Sequence, residues 1–116
     1  MLIATPLKVW LSAKPTDMRK AIDGLCFLVV DVMQLDPNSA ELFIFYNRQF
    51  NKLKVLYWDK NGFCLWYKRL EKERFKLPPN LNIQLQITTT QLRWLLDGLD
   101  FMNMTETKAL GHSVFF

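Results

Sequence analysis

The sequence predicts an α+β domain with a single antiparallel, meander-like sheet, packed on one face by a long helix, with a short helix towards the C-terminal end. Three observations carry this expectation. The chain has 116 residues, half of them apolar and 14% aromatic, which fits one core burying about two-thirds of the unfolded surface. Between Asp17 and Gln34, apolar residues fall at Met18, Ala21, Ile22, Leu25, Leu28, Val29, Val32 and Met33, the spacing of a helix with one buried stripe. Two runs rich in strand formers then flank Asp59-Lys60-Asn61-Gly62, where Asn and Gly tolerate the positive φ of a tight hairpin.

The elements follow in order. Residues 7–13 (LKVWLSA) read as a short strand, and Lys14-Pro15-Thr16 turns the chain, with Thr16 placed to cap the long helix. Asp36-Pro37-Asn38-Ser39 stops that helix, because proline disfavours helical geometry in the residue before it. Glu41 to Tyr46 (ELFIFY) is a largely buried strand, and residues 48–51 are a polar loop. Lys52 to Asp59 puts Leu53, Val55 and Tyr57 on one face, and Lys52, Lys54, Leu56 and Trp58 on the other. Phe63 to Leu70 returns beside it. A short strand is expected at Phe75 to Leu77 and another at Leu81 to Ile87. Thr88 with Gln91 matches a capping box for a helix turning Leu92, Leu95, Leu96 and Leu99 inward. Residues 1–101 form the domain; 102–116 lack periodicity and read as an irregular tail.

Charge is distributed unevenly. Between Arg48 and Lys76 nine bases face three acids, an excess of +6 in a chain whose net charge is +4, so the remainder is slightly acidic. Within the hairpin and its return, Lys52, Lys54, Lys68, Arg69, Arg74 and Lys76 accompany Tyr57, Trp58, Trp66 and Tyr67. Cations neutralise phosphates and exposed rings stack on bases, so these six bases are the candidate nucleic-acid contacts, expected to form one outward surface. The same pattern also fits core aromatics beneath a solvated face. Arg19 and Lys20 fall where the long helix should begin, at the end where its dipole disfavours cations. Either Arg19 pairs with Asp23, or Arg19 and Lys20, with Trp58 and Trp66, form a contact surface for a partner.

Catalytic chemistry finds little support. Asp17, Asp23, Asp59, Asp97 and Asp100 are scattered, without the convergence a two-metal site requires. His112 is the only histidine, and Cys26 and Cys64 sit in apolar runs as small hydrophobes. No catalytic residue, metal, cofactor or small-molecule substrate is expected. No signal peptide is visible at Met1 to Pro6, and the longest apolar run, Leu25 to Val30, is far short of the ~20 residues that span a bilayer, so a cytoplasmic protein without membrane partners is expected.

The stretches PTDMRKAIDGL (15–25), LFIFYN (42–47), LKVLYWDKNGFCLWYKRLEKERFKLP (53–78) and QLRWLLDGLD (91–100) resemble, in this order, the small accessory-protein family of insertion sequence 66 elements, the TnpB type that is distinct from the RNA-guided nuclease of that label. The resemblance covers about residues 6–101. Its signature positions match at Asp17, Met18, Arg19, Lys20, Asp23, Gly24, Leu25, Trp58, Asp59, Gly62, Lys68, Arg69, Leu70 and Phe75, whereas Ala40 and Glu73 stand where the family often has glycine. The resemblance implies a bacterial mobile-element protein working beside a separate, larger transposase, with no catalytic residues of its own to carry over. The expected function is a non-catalytic transposition accessory factor that binds DNA through the basic hairpin. The alternative is an adaptor that docks on the transposase without touching DNA.

Overall fold

The computed structural model describes residues 7–78 and 81–105. It confirms an α+β domain and revises its sheet. Five strands, β1 (Val9–Leu11), β2 (Leu42–Tyr46), β3 (Lys52–Asp59), β4 (Gly62–Arg69) and β5 (Leu85–Ile87), lie in the order β4-β3-β2-β1-β5. The pairs β2–β3, β3–β4 and β1–β5 are antiparallel, but β1 and β2 run parallel, with Val9 opposite Leu42 and Leu11 opposite Ile44. The sheet is therefore mixed and not a meander. Parallel neighbours require a long crossover, and helix α1 (Ile22–Asp31) lies within it.

Both faces of the sheet are covered, where one was expected. On one face, Leu25, Val29 and Met33 pack with Phe43, Phe45 and Leu56. On the other, Val9, Leu11, Ile44, Leu53 and Val55 meet Phe75, Phe101, and Leu92 and Leu95 of helix α2 (Thr89–Leu96). This explains β2: all five of its residues are buried, as befits a central strand apolar on both sides.

Helix α1 has ten residues, not the eighteen the periodicity outlines. Its start is delayed because residues 12–16 continue alongside β2, with Ser12 N–H donating to Ile44 O and Thr16 N–H to Tyr46 O. The Asp17 carboxylate then accepts the Arg19 N–H at 2.9 Å, a local turn that competes with helix. At the other end Gln34 adopts φ 57 and Leu35 N–H returns to Val29 O, so the helix stops before Pro37 exerts its effect. Val32, expected inward, is 64% exposed.

The hairpin forms as predicted, with Asp59 opposite Gly62, although the positive φ of 54 falls on Lys60 and not on Asn61 or Gly62. The capping box also forms: Gln91 N–H donates to Thr88 Oγ1 and Thr88 N–H to Gln91 Oε1. Residues 75–77 are not a strand; Phe75 is buried and its N–H donates to Phe50 O. The strand expected from Leu81 is limited to Leu85–Ile87, leaving Ile83 70% exposed. Leu99 is exposed beyond α2, and a 3-10 turn occupies Phe101–Asn103. The tail from residue 106 onward, with His112, lies outside the described residues.

Ala40 adopts φ 65, a left-handed conformation that costs an L-residue about 1–2 kcal/mol. This is one of the two positions where the resemblance leads to glycine. Ala40→Gly is therefore expected to stabilise the fold by about 0.5–1 kcal/mol, after the greater unfolded-state entropy of glycine is allowed for. Chemical denaturation would show a higher midpoint at unchanged m-value; a lower midpoint would mean the strain is relieved locally.

Candidate nucleic-acid interface

Alternation along β3 and the register with β4 fix where the hairpin bases point. Lys52 lies opposite Arg69 and Lys54 opposite Tyr67, all on the face that carries α1. Lys68 lies opposite Leu53 on the other face. There its Nζ donates to Leu96 O at 2.7 Å, a cation on the carbonyl end of α2. Arg74 and Lys76 are exposed on either side of buried Phe75, on the segment that covers that second face. The six bases are thus divided between two faces and do not form one ribbon-wide surface. Arg69 is further engaged by Glu71, with its Nε and Nη2 donating to Oε1 at 3.1 and 2.9 Å.

On the α1 face a cleft of about 780 Å³ opens where three parts of the chain meet. One wall is Pro15–Arg19, another is the loop carrying Asn47, Arg48 and Gln49, and the hairpin supplies Lys52, Lys54, Leu65 and Tyr67. Four cations, Arg19, Arg48, Lys52 and Lys54, face one carboxylate, Asp17.

Arg19 and Asp17 form a forked ion pair, with Nη2 donating to Oδ2 at 2.7 Å and Nε to the carboxylate at 3.0–3.1 Å. These bonds hold the Asp17 carboxyl at a pKa of about 2, against an ordinary 3.8. Arg19 therefore pairs two residues back, with Asp17 rather than Asp23. Since α1 begins at Ile22, neither Arg19 nor Lys20 lies in its first turn, which removes the helix-dipole argument.

Lys54 has a different role from its neighbours. Its Nζ donates to Met18 O at 2.7 Å and Lys20 O at 2.8 Å, and lies 5.7 Å from the centre of the Tyr67 ring. The ammonium pins the Met18–Lys20 turn onto the hairpin, so Lys54 shapes the cleft more than it offers a free cation. The loop opposite is organised by Asn47, only 8% exposed, whose Oδ1 accepts the Asn51 and Lys52 N–H groups at 3.0 and 2.9 Å.

Asn47, Arg48 and Gln49 line the cleft, yet the sequence singles out none of them as a site residue: Asn47 enters only at the end of the LFIFYN stretch, Arg48 and Gln49 only as part of a polar loop, with Arg48 one counted base. Trp58 and Trp66 are not brought together: Trp58 stacks edge-on with Phe63 at 5.0 Å near the hairpin tip, and Trp66 packs against the opposite core. Among the described residues no group of three or more His, Cys, Asp or Glu is placed to hold a metal ion, and no helix is long and apolar enough to cross a membrane. Cys26 and Cys64 are both free.

The family model for IS66 Orf2 like protein matches residues 7–106, an interval that contains every wall of this cleft. The chain belongs to that family. Its context is accordingly insertion-sequence transposition, in an accessory role. Two proteins of Sinorhizobium fredii are similar along most of their length. Uncharacterized protein y4hO is 37% identical over 101 residues, covering 87% of this chain and 88% of its own. Uncharacterized protein y4jC is 30% identical over 95 residues, covering 82% and 81%. No solved structure matches the chain. Several residues that carry the IS66 Orf2 resemblance meet at the cleft: Asp17, Met18 and Arg19 line it, and the Lys20 carbonyl anchors Lys54. At Gly24, a Cβ would come within 3.3 Å of the side-chain stem of exposed Lys20, a tight contact.

Proposed function

We propose that this IS66 Orf2 like protein is a non-catalytic accessory factor that binds DNA during insertion-sequence transposition, alongside the separate transposase of the same element. The observation that carries the reading is the cleft, where Arg19, Arg48, Lys52 and Lys54 outnumber Asp17. Such an excess of cations attracts phosphates and releases their counterions. Arg19, Arg48 and Lys52 are the intended phosphate contacts. Lys54 and Asp17 hold their surroundings in place. Lys68, Arg69, Arg74 and Lys76 lie outside this site and add at most a diffuse positive field.

Three phosphate contacts predict that log K falls with log salt at a slope of about −2.7 on duplex DNA and about −2.1 on a single strand. A double Arg48→Ala/Lys52→Ala change is expected to reduce that slope by about 1.5–2 and to weaken binding without sequence preference.

A second reading, an adaptor docked on the transposase, draws support from α1. Phe27 and Val30, with Val32 just beyond, turn outward and are 57–64% exposed. The same experiment separates the two. Absence of DNA binding even at low salt, together with co-purification with the transposase that Phe27→Asp abolishes, would leave the adaptor and remove the DNA reading.

A further inference from the structure

We infer that the cleft accepts unpaired DNA, with one base against Tyr67 and the strand's phosphates on the surrounding cations; this rests on the DNA-binding reading above. The first argument is shape. Elements that read duplex DNA are convex, a helix or ribbon entering a groove about 12 Å wide. Here the cations line an open recess, with Arg19 and Arg48 exposed at its rim, whose volume of about 780 Å³ falls within the ~300–1,000 Å³ of small-molecule pockets. A nucleotide or two fits such a space, and a double helix does not.

The second argument is the lining. Among the cations is an aromatic ring, Tyr67, 48% exposed near the end of the edge strand β4. Leu65 and Met18 add apolar surface beside it. The Lys54 ammonium lies over the ring, 5.7 Å from its centre. A positively charged groove with a presented aromatic side chain is the arrangement that binds single strands without reading their sequence.

The third argument is continuity. A second hollow of about 180 Å³ shares Pro15, Thr16 and Asp17 with the cleft and is bordered by Lys14 and Lys20. The 15–17 segment is thus a ridge with cations on both sides. A strand leaving Arg19, Arg48 and Lys52 crosses it and finds Lys14 and Lys20 for its next phosphates. A polyglutamate-like peptide could use the charges but has no ring to stack on Tyr67.

Fluorescence anisotropy of the full chain with a labelled thymidine oligomer of about 12 nucleotides, within the ~4–16-nucleotide site sizes of single-strand binders, tests this. The oligomer should bind more tightly than a duplex of equal length. Tyr67→Ala should weaken oligomer binding about five- to 150-fold, the effect of losing one stacked base, while duplex binding stays unchanged. Tyr67→Phe should bind as the parent does. Tyr67→Leu, which keeps apolar bulk on β4 if the alanine variant folds poorly, should show the same loss as alanine. Equal affinity for both DNA forms, no effect of Tyr67→Ala and Tyr67→Leu, or displacement of the oligomer by polyglutamate at matched charge would overturn the inference and leave the cleft as a general polyanion site. Failure to bind either DNA form would remove the DNA reading itself.

Discussion

Asn47→Ala is expected to cost about 2–4 kcal/mol of folding stability and to lower Tm by about 8–15 °C. The side chain is almost fully buried and makes four hydrogen bonds at a corner of the sheet. Its Oδ1 accepts from Asn51 and Lys52 N–H, and its Nδ2 donates to Asn51 Oδ1 at 2.6 Å and Gln49 Oε1 at 3.2 Å. Alanine leaves two part-buried backbone donors without an acceptor, at up to about 1–3 kcal/mol each. The damage extends further, because Asn51 O accepts Leu70 N–H and Phe50 O accepts Phe75 N–H, so the same corner anchors the chain as it leaves β4. Asn47→Asp keeps the acceptor and loses the amide donors, so a smaller loss is expected. DNA affinity should fall beyond the loss of folded protein, since Arg48, Gln49 and Lys52 are positioned by this corner. Urea denaturation of the three proteins settles the matter: an alanine variant within ~0.5 kcal/mol of the parent, the range of an inconsequential surface change, would show that Asn47 does not organise the loop.

What sequence reasoning could and could not see follows from the range of each interaction. The hairpin and the capping box depend on residues at most three or four apart in the chain, and both formed from Asp59-Lys60-Asn61-Gly62 and Thr88–Gln91. The periodicity of Met18 and Ala21 continues upstream of helix α1, while residues 17–20 are held out of helix partly by the local Asp17–Arg19 turn and partly by distant groups. The distant contributions are the hydrogen bond from Thr16 to Tyr46 and the two from Lys54, some 30 residues away. Parallel pairing of β1 with β2 has no local signature. The uninterrupted apolar run of β2 did carry a signal, since a strand without a polar face must be covered twice. The excess of bases between Arg48 and Lys76 is plain in the sequence, but a face is decided by one residue of register, and Lys68 and Arg69 illustrate it: adjacent in sequence, they point to opposite sides. The cleft was invisible for the same reason, being assembled from segments that only the tertiary fold brings together. Asn47 offered a faint clue, a short polar side chain directly after a buried strand, where asparagine commonly organises a turn.

Lys54→Met should cost about 2 kcal/mol of stability, whereas Arg48→Ala, a few residues away in the same cleft, should leave stability within ~0.5 kcal/mol of the parent. The contrast arises from what each cation already holds. Hydrogen bonds to a charged donor contribute about 1.5–3 kcal/mol, and Lys54 makes two, to Met18 O and Lys20 O, though its partial exposure reduces their value. Methionine preserves most of the aliphatic stem but abandons both carbonyls and the contact with Tyr67, about 0.5–1 kcal/mol at an exposed site. Arg48 is exposed, and among the described residues its side chain has no hydrogen-bond partner. In binding, the order should reverse in kind. Arg48→Ala removes a phosphate contact and lowers the salt slope by about 0.7 on single-stranded DNA. Lys54→Met releases the Met18–Lys20 turn, so affinity falls because Arg19 is no longer held beside Arg48 and Lys52. Lys54→Arg separates charge from geometry: it restores the positive charge but not the single ammonium that reaches both carbonyls, and its stability should fall between the other two. If Lys54→Met proved as stable as the parent and lost only salt-dependent affinity, Lys54 would be a direct phosphate ligand and the cleft would be held open by something else.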